Sequence, residues 1–227
     1  MKMHKKISGA APILLFSLLV NIVPASAQEA AVMPIITWQA KTYTPSWFTG
    51  KALPTANSQI TAYLELIVKN KATDLSGEKV YWYVNDEFIK GGVGIQKVTF
   101  NAPAVTGNTI DLRAEVPSRS VIKTIEIPIV NPEAVIEAPF PSRMFSSFSI
   151  NLNGWPFFFN TQKSSNLNFL WSVNGVTAEN SENPEVLDLD LNQNAAQNSN
   201  INIGLTIRVP GSLSAIATKQ VNLTFIK

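Results

Sequence analysis

The segment LDLDLN (187–192) sets Asp188, Asp190 and Asn192 two residues apart, the spacing with which a calcium-binding loop begins. A helix-loop-helix calcium site also requires Gly at its sixth position and a carboxylate at its twelfth. This chain has Gln193 and Ser199 there. The same period of two turns Leu187, Leu189 and Leu191 to the opposite side. The expectation is a strand with a buried leucine face and a wet aspartate face. Weak surface calcium binding by Asp188, Asp190 and Glu185 is its alternative, and no metal site is assigned.

Other chemistry is limited by what the chain lacks. There is no Cys, and the single His is His4. Lys2, Lys5 and Lys6 precede an apolar run over residues 7–23, and Ala25 and Ala27 supply the small residues of a secretory cleavage site. Residues 1–27 therefore read as a signal peptide cut before Gln28. The alternative is an uncleaved N-terminal membrane anchor, the only contact with a membrane that the sequence suggests. The run is short for a membrane span, and Pro12 and Asn21 interrupt it. His4 leaves with that segment, so neither a Ser-His-Asp nor a Cys-His nucleophile is available to the mature chain. Zinc, copper and iron sites built on imidazole or thiolate are excluded with them. Loss of the three lysines takes the 18 basic residues to 15 against 16 acidic ones, a net charge of about −1. That balance offers no basic footprint for nucleic acid.

The carboxylates show no acid/base pair. Asp74, Asp86 and Asp111 fall in turns or at a strand edge, and nothing in their spacing predicts the paired geometry a glycosidase needs. GGVG (91–94) lacks the Lys-Ser/Thr of a phosphate loop and reads as a turn between strands. No catalytic or cofactor-binding residue is expected, and a secreted hydrolase is kept only as a remote alternative.

The aromatic residues carry more. TYTPSWFTG (42–50) places Trp47 and Phe48, and NGWPFFFN (153–160) places Trp155, in segments punctuated by Pro, Gly and Asn. Aromatics on loops at the end of a sandwich stack on sugars or anchor a protein partner, or else pack beneath the loops. Trp47, Phe48 and Trp155 are the candidate contact residues for a protein or, second, a glycan.

Around them the chain is β almost throughout. Residues 59–69, 79–84, 95–100, 110–116 and 121–130 have the length and the β-branched or aromatic content of strands, with turn chemistry between them. Residues 145–152, 167–173, 185–191, 201–209 and 219–226 repeat that layout. NQNAAQNSN (192–200) reads as a solvated loop, and the NLT triplet at Asn222 as strand alternation. YWYVND (81–86) and LWSVNG (170–175) repeat Trp-x-Val-Asn at an interval of 89 residues, so the repeating unit is a whole module of about 100 residues. Two such units suffice for hydrophobic cores without disulfides.

The second unit, through EAPFP (137–141), LNFLWSVNG (167–175) and the closing residues 203–226, resembles a bacterial immunoglobulin-like or PKD-like domain. The first is a looser match through KVYWYVN (79–85) and residues 110–130. The resemblance implies core roles for Trp82 and Trp171, packed between two sheets. The family's inter-sheet disulfide is absent.

The expected fold is thus all-β: two tandem immunoglobulin-like antiparallel β-sandwich domains after the signal peptide, over residues 28–131 and 132–227. Pro128 and Pro132 mark a short joint that suggests a semi-rigid rod. The expected function is that of a non-enzymatic, exported cell-envelope or extracellular protein. Its modules would serve protein interaction, adhesion or spacing, including association with a surface appendage. The alternative is carbohydrate binding through the loop aromatics.

Overall fold

The computed structural model describes residues 31–226 except 180, 181, 193, 197, 213 and 214. Residues 1–27, expected to be a signal peptide, and Gln193, the sixth position of the calcium-like loop, lie outside the described residues. Among those described, the helical turns are two short 3-10 turns, Pro117–Arg119 and Ser164–Asn166. The rest is strand and connection.

In the first module β1 (Val32–Ala40), β2 (Gln59–Val68), β3 (Lys71–Ala72) and β6 (Lys97–Asn101) form one antiparallel sheet, with β2 paired to the other three. Its partner sheet runs β5 (Glu87–Val93), β4 (Lys79–Val84), β7 (Thr109–Val116), β8 (Val121–Pro128). The alternation visible in the sequence decides the faces. Ile60, Ala62, Leu64 and Leu66 of β2 point inward against Val80 and Trp82 of β4 and Ile110, Leu112, Ala114 and Val116 of β7. Each fully buried side chain of this size contributes roughly 1.5–3 kcal/mol relative to exposure.

The second module sets β14 (Val186–Asp190), β11 (Ser149–Phe157) and β9 (Glu133–Glu137) in one sheet. The opposing sheet runs β10 (Met144–Phe145), β16 (Ile216–Phe225), β15 (Ser199–Arg208), β12 (Asn168–Val173), β13 (Val176–Thr177). Among the described residues every strand pair is antiparallel apart from the two-residue contact of β10 with β16. Leu152, Trp171, Leu187, Leu189, Ile203, Leu205, Leu223 and Phe225 fill the second core. The fold is two tandem immunoglobulin-like antiparallel sandwiches.

The strands differ from the sequence expectation in three places. β1 is a nine-residue strand that the sequence pattern did not single out, because Pro34 interrupts its alternation. Gly91 and Gly92 lie inside β5 and do not form the expected turn; only Gly94 turns the chain. A side chain at Gly91 would strike the ring of Tyr81, 2.3 Å from its Cδ1, so the bare backbone is what lets that ring lie over the strand. Third, residues 153–157 belong to β11 and not to a loop. Beyond Asn153 that strand is paired only with β9, and a proline such as Pro156 is tolerated on a strand open on one flank.

Candidate functional site

Both copies of Trp-x-Val-Asn do the same structural work. Trp82 is fully buried and its Nε1 donates to the carbonyl of Ile95 at 2.8 Å. Trp171, 3% exposed, donates to the carbonyl of Pro184 at 3.1 Å, again 13 residues downstream. Asn85 donates its backbone N–H to the Asp111 carbonyl, and its Oδ1 accepts the Asp111 N–H at 2.9 Å. Asn174 makes the same reciprocal pair with Asn202, its Oδ1 accepting at 2.9 Å. Asn85 and Asp86, with φ of 49° and 65°, form the two-residue turn into β5; Asn174 and Gly175, at 51° and 80°, form the turn into β13. Hairpin turns of this length need two positive φ values, which Asn, Asp and Gly adopt most readily. The repeated motif therefore contains an inter-sheet anchor and a hairpin turn, and no reactive group.

Trp47, Phe48 and Trp155 are brought together. The loop between β1 and β2 leaves its own module and lies over the outer face of the β14-β11-β9 sheet. Tyr43 donates its N–H to the Phe159 carbonyl at 2.8 Å, and Phe158 donates to the Tyr43 carbonyl at 2.7 Å, a one-rung antiparallel bridge between modules. Trp47 meets Trp155 edge to face at 5.4 Å between ring centroids, and Phe157 at 5.9 Å. Phe48 meets Phe157 at 5.3 Å and Phe158 at 6.2 Å. Phe157 and Phe158 are buried, yet neither belongs to a sandwich core; the loop is what covers them. Phe158 holds a φ of 61°, a costly conformation for a bulky residue that the bridge and the ring contacts enforce. Val130, in the joint, donates to the Pro54 carbonyl of the same loop at 2.9 Å.

The clasp leaves a concave site beside it. A cavity of about 370 Å³ is lined by Trp47, Val135, Glu137 and Trp155. Trp47 remains 54% exposed. Glu137 and Val135 stand on β9 opposite Asn153 and Trp155 of β11, so register sets the four side by side. Trp155 Nε1 donates to Glu137 Oε2 at 2.8 Å, and Asn153 Nδ2 reaches the same oxygen at 3.3 Å. A second cavity, about 450 Å³, lies where the clasp loop leaves the first module. Gln39, Lys41, Tyr43, Gln59, Thr161 and Gln162 line it, and no carboxylate does.

The other sequence candidates are placed as follows. Asp188 and Asp190 stand exposed on β14 while Leu187 and Leu189 are buried. Asn151 donates to Asp188 across the strand pair. No cluster of three or more acidic ligands forms among the described residues. Asp86 pairs with Arg113 at 3.2 Å. Asp74 accepts from the Ser76 N–H and hydroxyl, and these hold its carboxyl below the usual range. Asn222 accepts from Asn202 Nδ2 at 2.7 Å across β15 and β16. The sequence reading passed over one aromatic group, Tyr81, Tyr83 and Phe88 on the outer face of the Trp82 sheet, where Arg113 lies 4.1 Å over the Tyr83 ring. Its signal was present in the outward parity of YWYVNDEF.

No family model and no curated protein matches this sequence. Among solved structures the chain is similar to the fibronectin(III)-like modules of Clostridium thermocellum CbhA, at 15% identity and a TM-score of 0.30 over 85% of this chain and 94% of that one. It is similar to the three N-terminal domains of the highly immunogenic outer capsid protein of bacteriophage RB49, at 12% identity and a TM-score of 0.40 over 86% of this chain and 59% of that one. A third likeness is to the central fibronectin-III array of RIM-binding protein, at 11% identity and a TM-score of 0.40 over 82% of this chain and 64% of that one. The chain thus spans less than two thirds of the latter two. At such scores none of the three bears on what this protein does.

Proposed function

We propose that the chain is a non-enzymatic, exported protein of the cell envelope or extracellular space whose two modules serve protein interaction, adhesion or structural spacing. The observation that carries this is the clasp. A loop of one sandwich is committed to the outer face of the other, which ties the modules together and leaves Trp47 exposed beside a half-buried Trp155. A stiff two-module unit with an exposed indole corner suits display and contact better than turnover. The mature composition, without Cys or His, supports the same conclusion.

One experiment tests both place and role. Fractions of the native cell are blotted for the chain, and the immobilised protein and its Trp47→Ala variant are then offered the envelope fraction. Recovery of the chain from envelope or medium, with a bound protein lost in the variant, is expected. A chain retained in the cytoplasm, or capture indifferent to Trp47, overturns the proposal. Carbohydrate binding is the second reading, favoured by the amide- and hydroxyl-lined cavity around Gln39, Gln59 and Gln162. A glycan array with no bound member counts against it.

A further inference from the structure

Three aromatic rings of this protein carry a cation from the chain itself. Lys51 Nζ lies 3.4 Å from the centroid of Trp38, Lys97 Nζ 5.3 Å from Tyr63, and the Arg113 guanidinium 4.1 Å from Tyr83. The Trp47–Trp155 corner has the rings and, in addition, a carboxylate, but among the described residues no cation lies over its rings. Glu137 is in none of the ion pairs formed among the described residues. Its Oε2 accepts from Trp155 and Asn153, and no hydrogen bond to Oε1 forms among the described residues.

The surrounding sheet has the same bias. β9 (EAVIE), β11 (SINLNGWPF) and β14 (VLDLD) hold four carboxylates, Glu133, Glu137, Asp188 and Asp190, and no Lys or Arg. All four carboxylate residues are exposed. A ligand entering the cavity therefore meets two indole rings, an apolar Val135 wall and a negative field.

We infer that this cavity takes a basic side chain of a protein partner, and an arginine in particular. A guanidinium stacks flat on an indole while its N–H fork pairs with a carboxylate, the combination the corner offers. An ammonium satisfies the charge but not the stacking. The inference rests on the interaction role proposed above and names the chemistry of the partner at that site.

The test is a titration of the ¹⁵N-labelled protein, read at its indole N–H signals. Probes are a short blocked arginine peptide, the same peptide with citrulline, the same with lysine, and a neutral β-glucan oligosaccharide. The arginine peptide is expected to shift the Trp47 and Trp155 signals and leave those of buried Trp82 and Trp171 in place. Citrulline, isosteric but neutral, should shift nothing. Lysine should bind more weakly than arginine. Glu137→Gln keeps an acceptor for Trp155 and should weaken the arginine titration about threefold to tenfold. An arginine peptide that leaves Trp47 and Trp155 unmoved overturns the inference, as does a citrulline peptide that binds equally. So does an oligosaccharide that binds with an affinity untouched by Glu137→Gln. If the envelope partner is captured through Trp47 yet arginine fails, the partner chemistry is wrong and the interaction role stands. If both fail, the role falls as well.

Discussion

Glu78 sits at the end of the Trp82 sheet and accepts from the Ser118 hydroxyl and from Arg119 Nε, the latter at 3.0 Å. The Ser118 hydrogen bond, ahead of an opposing desolvation and of the Arg119 contribution, holds its carboxyl below the ordinary 4.5. A carboxyl whose pKa is depressed by folding stabilises the fold above its unfolded pKa, and that stabilisation is lost as pH falls through the folded value. Urea midpoints of the protein and of Glu78→Gln should therefore differ at neutral pH and converge well below pH 4.5. A difference constant across that window would show that the carboxylate charge contributes nothing. The effect is small, since the group is solvated. At this scale the sequence was partly legible. The resemblance to immunoglobulin-like domains implied core roles for Trp82 and Trp171, but the Asn85 and Asn174 side chains bond to strands 26 and 28 residues away, a partnership no local pattern reports.

β11 shows why an element can be right in type and wrong in extent. Its first half alternates as a strand should, with Ile150 and Leu152 inward. Its second half is Gly, Trp, Pro and Phe, which reads as a loop by composition. Two tertiary facts keep it extended. β9 supplies a ladder from Asn153 to Phe157, and Gly154 gives the opposing sheet room. A Cβ at Gly154 would stand 2.8 Å from Leu205 Cδ2 and 2.9 Å from Trp171 Cζ2. Gly154→Ala is therefore expected to cost about 1–3 kcal/mol by forcing the Trp171 ring aside, seen as a lower urea midpoint and a changed Trp171 indole signal. A neutral substitution would mean that the ring shifts freely and that Gly154 does not set the inter-sheet spacing.

At the scale of the molecule, the question is what makes two sandwiches one body. The sequence points to Pro128 and Pro132, which fix φ and remove amide donors at the joint. The larger contribution comes from the loop after β1, with its bridge at Tyr43 and four ring contacts from Trp47 and Phe48, each pair worth about 0.5–1.5 kcal/mol beyond area. The double substitution Trp47→Ala, Phe48→Ala should leave both cores intact and release the modules from each other. Small-angle scattering should then give a larger radius of gyration, and thermal unfolding should separate into two transitions. An unchanged scattering curve would assign the rigidity to the proline joint alone.

The amino-acid sequence by itself determined the all-β class and the doubling of the module. Both follow from local alternation, turn residues and composition, which act within a few residues along the chain; the burial of Trp82 and Trp171 was implied by the resemblance to immunoglobulin-like domains. It also bounds the available chemistry, because a chain with no Cys and a single His, His4, has few such groups whatever its fold. Only the tertiary structure decided that Trp47, Phe48 and Trp155 form one clasp and that Glu137 completes a cavity beside it. Trp47 and Trp155 are more than 100 residues apart. Their meeting depends on strand register and on the path of a loop across a neighbouring module, and sequence spacing carries no record of either.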